Sequence, residues 1–355
     1  NIFHCREAYD DFLQVVEKYQ GQVNGVVHCY TGDADTVERL VQAGLYVGFT
    51  GIITFPKTEY LAEAMLQSLL TDARFVINAV VTQPDRPVGR KQILQAPPVK
   101  ELALTHNLKI VQLEKLREVS PDILECKPDF FVVAEFGQLI PEAWRTFPTI
   151  DTINVHPSLL PKYRGATPIQ TALLNGDSET GVTIMQLEPT MDTGPIVATI
   201  SMMIDPDDVY DAVEKKLTAL AGPLLNDSLV ALAEKKITPT PQDGARATHC
   251  RKLTRDSGRV DWQQTALTIY NQYRALNRWP GIWTTWHDLR VKFLEIKPTT
   301  TTIPPGQVEA NDQGLLIGTT SGSIQVIRLQ LEGRSAAPAK AFLAGAPKFV
   351  GSQLV

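Results

Sequence analysis

Through the first two thirds of the chain, short apolar and β-prone runs alternate with stretches in which apolar positions recur every three or four residues. Period two marks a half-buried strand, and a period near 3.6 marks one face of a helix. The alternation therefore predicts βα units around a mostly parallel sheet. Strands are expected at 2–5, 25–30, 46–55, 75–82, 109–113, 129–134 and 152–155. Helices are expected at 7–19, where Phe12, Val15 and Val16 share a face, and from about Asp33, whose side chain can cap the turn. Further helices are expected at 58–70, 99–106, 121–126, 139–147 and 168–175. Runs at 182–187 and 196–203 read as a strand pair joined through Pro189 and Pro195. The stretch 207–236 reads as a long helix interrupted at Gly222 and Pro223.

The texture changes after residue 236. Residues 237–246 carry the polar run Thr-Pro-Thr-Pro-Gln-Asp-Gly, the composition of an extended linker. One helix (263–276) then precedes short strands separated by turn signals at Pro280-Gly281, Pro304-Pro305-Gly306, Asn311-Asp312 and Ser321-Gly322. That spacing predicts a small β-barrel.

A chain of 355 residues exceeds the usual single domain, so two or three are expected. No apolar run approaches the roughly 18 residues of a membrane span; residues 130–140 come nearest and are broken by Glu135 and Gln138. No secretory leader is visible at the start, and because the chain opens at Asn1 inside a strand-like run, a further piece upstream is expected. Cys5, Cys29, Cys126 and Cys250 form no CxxC pair, as in a cytosolic protein with reduced thiols. The net charge of −5 conceals an asymmetry: from residue 249 onward 13 Lys+Arg face 7 Asp+Glu, a net +6 that leaves −11 for the rest. A basic last third suits a module that touches phosphates, although charge alone does not separate that from a solvated surface.

The most informative stretch runs Asn154-Val-His156-Pro157-Ser158-Leu159-Leu160-Pro161-Lys162-Tyr163-Arg164-Gly165. Asn154 and His156 are two apart at the end of a strand and so face the same side. Pro157 ends the ladder because it has no N–H to donate. Ligands of open α/β sheets bind beyond the carboxyl ends of strands. Alone, such an Asn-x-His is more often a satisfied turn pair than a catalytic one. With Gln186-Leu-Glu-Pro-Thr-Met191-Asp192-Thr193-Gly194-Pro195 downstream, however, the pattern resembles the active site of the folate-dependent formyltransferases. The resemblance implies that Asn154, His156 and Asp192 transfer a formyl group from 10-formyltetrahydrofolate to an amine, with no metal required. It also implies that Ser158, Leu159, Leu160 and Pro161 line the folate pocket. The residue types suit the chemistry. An amide and an imidazole can donate to the oxyanion of a tetrahedral intermediate, at about 3 kcal/mol per donor. A carboxylate can hold the imidazole cationic and help take the proton leaving the amine.

Two features resemble the branch of that family acting on initiator methionyl-tRNA. The run Thr82-Gln-Pro-Asp85-Arg86-Pro87-Val88-Gly89-Arg90-Lys91 resembles a projecting basic loop for the tRNA acceptor stem, which makes Arg86, Arg90 and Lys91 candidate phosphate contacts. Residues 252–262, 277–280 and 351–355 resemble its C-terminal barrel. Glu135 departs from the family pattern, which has a small or aromatic residue there.

Residues 1–66 resemble something else. Ile2-Phe3-His4-Cys5, Gly25-Val-Val-His28-Cys29-Tyr30 and Gly48-Phe-Thr-Gly51 are similar to the TatD-type metal-dependent deoxyribonucleases, a (β/α) barrel family. Only His4 and His28 match its metal ligands, and two imidazoles without carboxylates make a poor hydrolytic site. The two residues are expected as vestiges in a partial barrel, because a full one takes about 250 residues. Residues 52–55 and the helix after them are expected to replace the first βα unit of the formyltransferase. The combined expectation is an α/β chain: a barrel fragment at 1–66, a Rossmann-like catalytic domain with a parallel sheet at 67–236, a linker at 237–248 and an OB-like β-barrel at 249–355. A cytoplasmic monomer is expected, with a catalytically impaired chimera or a nuclease as alternatives.

Overall fold

The computed structural model describes residues 2–3, 26–28, 46–48, 60–88 and 93–355. They fall in two compact units, Asn1–Thr58 and Glu59–Val355. In the first, β1 (Ile2–Phe3), β2 (Val26–His28) and β3 (Tyr46–Gly48) form a parallel sheet in chain order, as expected of βα repeats. The helices expected at 7–19 and from 33, and the strand at 52–55, lie outside the described residues.

The second unit opens with helix α1 (Tyr60–Leu70), then β4 (Val80–Thr82), the hairpin β5 (Arg86–Val88) and β6 (Ile93–Gln95), α2 (Pro98–Thr105), β7 (Ile110–Gln112) and α3 (Pro121–Leu124). It continues through β8 (Phe130–Val133), α4 (Glu142–Arg145), β9 (Asp151–His156), α5 (Pro168–Asn175), β10 (Glu179–Gln186), β11 (Ile196–Met203) and α6 (Tyr210–Ala233). Proline opens α2, α3 and α5, where its missing N–H has no helical partner to lose. Gly176, at φ 70°, closes α5 in the left-handed conformation that glycine tolerates best.

The parallel sheet is present in two pieces. β4 pairs with β7 and β8 with β9, both parallel, while β10 and β11 extend the second piece antiparallel. Among the described residues no ladder joins β4 to β8. A cavity of about 720 Å³ runs along both, lined by Val80, Val81, Phe131, Val133 and Trp144 among others. Side chains bridge its ends instead: Asn78 Nδ2 donates to the Cys126 carbonyl (3.2 Å) and Gln83 Nε2 to that of Phe136 (3.0 Å). The strand expected at 75–82 accordingly shortens to three residues.

The expected break at Gly222-Pro223 is corrected: α6 runs through it for 24 residues. Pro223 removes one N–H, but Leu217, Ala221, Leu225 and Leu229 bury the flanking turns and hold the helix. Gly222 serves packing rather than termination. A Cβ there would stand 2.7 Å from Ser68 Oγ, so its absence admits α1; Asn226 Nδ2 then donates to the Ser68 carbonyl (3.2 Å).

Beyond the linker, helix α7 (Ala266–Leu276) precedes an antiparallel sheet of β12 (Ile282–Trp286), β13 (Leu289–Thr299), β14 (Val308–Asn311), β15 (Gly314–Gly318), β16 (Ser323–Leu331) and β17 (Ala337–Pro338). Helix α8 (Ala339–Gly345) follows. The strand order is β12-β13-β16-β15-β14, with β17 on β16. Among the described residues β12 and β14 do not pair, so the sheet does not close on itself. The chain terminus lies between them. Gly351 N–H donates to Val308 O (2.8 Å) on the β14 side, and Thr284 Oγ1 on β12 donates to Val355 O (3.1 Å).

Two of the basic residues behind the +6 excess, the buried Arg274 and the half-buried Arg278, are anchors within the fold. Arg274 donates to the carbonyls of Asp208 (2.8 Å) and Asp205 (2.9 Å), and Arg278 Nη2 meets Glu214 (2.9 Å) and Asp211 (2.8 Å). Both hold the sheet domain against the start of α6.

Candidate active site

β9 is buried along most of its length, paired to β8 on one side and β10 on the other. Its last turn of pleat sends Asn154 and His156 to the same face. Asn154 is half-buried; His156 is 5% exposed.

The β10–β11 connection brings the third residue. Gln186 N–H donates to Pro195 O (2.9 Å) and closes the loop. A Cβ at Gly194 would overlap the Gln186 carbonyl oxygen, so this approach admits glycine alone. At the tip Asp192 has φ 54°, a left-handed backbone that Asp tolerates better than most residues. Its Oδ2 accepts a hydrogen bond from Gly165 N–H (2.7 Å) and stands 3.7 Å from His156 Nδ1.

His156 Nε2 lies 3.0 Å from the Tyr163 carbonyl oxygen. A carbonyl only accepts, so Nε2 carries a proton and Nδ1 is the nitrogen left to face Asp192. Burial pushes the imidazole below its ordinary pKa, while Asp192 and the Tyr163 carbonyl oppose that shift. Desolvation is the largest of the three, so the resting imidazole is neutral. Asp192, expected to hold the imidazole cationic, favours the charged form, and burial weighs against it.

Ser158, Leu159, Leu160 and Pro161 form the turn after β9. Ser158 is fully buried; its hydroxyl donates to Lys162 O (2.7 Å) and its carbonyl accepts from Thr183 Oγ1 (2.7 Å). Leu160 is also buried, whereas Leu159 and Pro161 are partly exposed. Ser158 therefore shapes the turn from within. Neither this turn nor the three polar residues line the 720 Å³ cavity, which lies along β4 and β8.

The loop expected at 82–91 contains a strand. Arg86 opens the β5 hairpin, and its guanidinium pairs with Glu114 (3.3 Å) while both side chains stay exposed. Arg90 and Lys91 lie outside the described residues, as do His4 and the side chain of His28, whose backbone ends β2. Among the described residues no cluster of three His, Cys, Asp or Glu side chains is placed to hold a metal. Glu135, two residues past the end of β8, has φ 48° and borders the cavity.

Sequence reasoning missed the linker's part in this site. Thr240 and Ile196 exchange backbone hydrogen bonds (2.8 Å each way), and Thr248 O accepts from Arg164 N–H (2.9 Å) while Cys250 N–H donates to Arg164 O (2.7 Å). Tyr163 N–H donates to Thr248 Oγ1 (2.9 Å). The segment is extended, as its composition predicts, but stitched to the loops that carry His156 and Asp192. A Pro-Thr-Pro-Gln tract gives no sign of that, since these partners of the segment lie 44 to 86 residues upstream.

An open α/β sheet with Asn and His at the end of one strand and an Asp brought beside them by a loop, followed by an antiparallel sheet domain, defines a class that comparison resolves. The family model described as formyl transferase matches residues 52–229, and the formyl transferase C-terminal domain matches 252–347. A third, TatD related DNase, matches residues 1–79. The chain belongs to the formyl transferase family. A methionyl-tRNA formyltransferase of Dehalococcoides mccartyi is 38% identical over 309 residues, 85% of this chain and 98% of that protein. The methionyl-tRNA formyltransferase of Enterococcus faecalis is 39% identical over 300 residues, 82% and 95%. Among solved structures, the sugar 3N-formyl transferase WlaRD, with dTDP and 5-N-formyl-THF, has a TM-score of 0.57 at 20% identity, covering 78% of this chain and 96% of that one. A Helicobacter canadensis N-formyltransferase in complex with folinic acid and dTDP-3-aminofucose gives 0.57 at 19% identity, covering 76% and 96%. These last two speak for the fold.

Proposed function

We propose that this protein transfers the formyl group of 10-formyltetrahydrofolate to the α-amino group of initiator methionyl-tRNA, at a site built from Asn154, His156 and Asp192. The observation that carries the reading is a half-buried amide and a buried imidazole on one strand face, with a carboxylate 3.7 Å from the imidazole. Relatives named methionyl-tRNA formyltransferase that align over nearly their whole length support the choice of acceptor.

The folate supplies an activated formyl carbon. As the amine nitrogen attacks it, the formyl oxygen gains negative charge, and the Asn154 amide is available to donate to it. The amine sheds a proton as the new C–N bond forms. Asp192 accepts that proton directly or through His156 Nδ1, whose neutral resting form leaves it a base. The bond from the formyl carbon to N10 then breaks, and N10 takes up a proton. The Nε2–H held by Tyr163 fixes the ring so that Nδ1 stays turned to Asp192.

We further infer that Leu159 and Pro161 form the exposed edge of a folate subsite. Arg86, Arg90 and Lys91 contact tRNA phosphates, and the antiparallel sheet serves as an OB-like tRNA module. The protein acts as a cytoplasmic monomer, and the catalytic region spans 67–236 with the sheet module at 249–355. His4 and His28 have no part in the reaction.

Steady-state kinetics of Asn154→Ala, His156→Ala and Asp192→Asn test the assignment. Each should lower kcat by about 100-fold or more, the usual scale for losing an oxyanion donor or proton acceptor. Wild-type rates in Asp192→Asn and His156→Ala would refute it.

A further inference from the structure

Gln242, in the middle of the linker, touches neither His156 nor Asn154, yet its side chain is fully committed. Nε2 donates to two carbonyls of the β10–β11 loop, Asp192 O (2.9 Å) and Gly194 O (2.8 Å). Oε1 accepts from Arg164, from Nε at 3.2 Å and Nη2 at 2.8 Å. Arg164 is buried, and it follows Tyr163, whose carbonyl fixes His156, and precedes Gly165, whose N–H holds the Asp192 carboxylate. One amide thus ties together the two loops that carry the two halves of the His156–Asp192 pair.

The residue type is specific to the task. The two carbonyls need donors and the guanidinium needs an acceptor. A primary amide supplies both at one position, whereas a carboxylate would face two carbonyl oxygens and an alkyl chain would satisfy neither. Asp192 draws on this support because its backbone is left-handed; the loop's own Thr193 Oγ1 donates to Thr190 O and to Glu188 (3.1 Å each), and neither bond ties the tip to the segment carrying Arg164. A misplacement near 1 Å can cost on the order of 100-fold in rate even when it originates away from the reacting atoms.

We propose that Gln242 is a positioning residue of the active site, bridging Arg164 to the Asp192 loop so that the carboxylate is held at His156 and the linker becomes part of the catalytic frame. The proposal rests on the assignment of His156 and Asp192 made above. It makes the way the C-terminal domain is tethered a determinant of turnover, since the same linker leads directly into that domain.

The test uses the full-length protein with Gln242→Leu and Gln242→Glu, close to Gln in size and on a half-buried site. Both should lower kcat at least tenfold and leave the KM for 10-formyltetrahydrofolate within threefold, with far-UV circular dichroism unchanged and Tm within a few degrees. A second readout does not need turnover: in histidine-labelled protein the His156 ring should titrate at lower pH in Gln242→Leu than in wild type, because the carboxylate that favours its charged form has moved away. Gln242→Asn, one methylene short of the two carbonyls, should fall between Leu and wild type in both readouts. A kcat within twofold of wild type in both Leu and Glu variants, a loss carried by KM alone, or an unmoved His156 titration would overturn the proposal. Absence of formyl transfer by the wild type would instead refute the reading beneath it, and the titration would still judge Gln242.

Discussion

At His156 the fold takes an ionisable ring almost out of water and leaves it one carboxylate and one carbonyl. The burial that depresses its pKa has a thermodynamic consequence. The unfolded chain binds a proton near pH 6.5 and the folded chain resists it, so stability is present above about 6.5 and is lost as pH falls below it. Urea unfolding at pH 7.5 and 5.5 should show a larger drop for wild type than for His156→Asn; equal drops would mean the ring is solvated. Tyr163 behaves oppositely. Burial and its hydrogen bond to Asp177 raise its pKa to about 12, so it weakens the fold as pH rises above about 10. Strand periodicity was enough to place Asn154 and His156 on one face. Asp192 could be reached only through its motif, because it lies 36 positions after His156, beyond α5 and β10, before the chain returns. Gln242 lay beyond both: a polar residue in a polar tract looks the same whether it faces water or two carbonyls.

The elements that sequence periodicity located best are those with a strong one-sided pattern, such as α5 and β11, found at 168–175 and 196–203 as expected. The short strands were harder, because β4 and β7 hold three residues each and their apolar neighbours continue the pattern into irregular chain. Pro223 misled for a different reason. Its local cost is about 3 kcal/mol, but α6 buries side chains on both sides of it, and packing outweighs propensity. The neighbouring Gly222 should therefore be intolerant of a side chain. Gly222→Ala should destabilise by about 1–3 kcal/mol, the cost of overpacking, despite alanine's higher helix propensity. Chemical denaturation measures this, and a stabilised variant would show that α1 and α6 have room to separate. The slot between β4 and β8 is apolar and bordered by two strands with no shared ladder among the described residues. Ala79→Leu, which adds bulk to its lining, should raise the denaturation midpoint or leave it unchanged, where the same change in a filled core would lower it.

Across the whole second unit, the catalytic half and the sheet domain are joined by buried charge as well as by the linker. Glu214 is buried and meets Arg278 and the Tyr210 hydroxyl. Removing one partner leaves the other charge stranded, so Arg278→Met should cost about 3–5 kcal/mol, while Arg278→Met with Glu214→Leu should recover most of it. Additive losses in that double variant would mean the pair is not coupled. The basic excess of the last third thus divides between anchors of this kind and exposed cations such as Lys252 and Arg328, a division composition alone conceals. The central claim is that this frame moves a formyl group onto methionyl-tRNA, and one measurement meets it directly. Full-length protein is incubated with formyl-labelled 10-formyltetrahydrofolate and initiator tRNA, either methionylated or uncharged, and label on the α-amino group is counted. The account predicts about one label per methionyl-tRNA, none on uncharged tRNA, and none in either case with Asp192→Asn. No label on methionyl-tRNA with the wild-type protein, or equal labelling with Asp192→Asn, would contradict it.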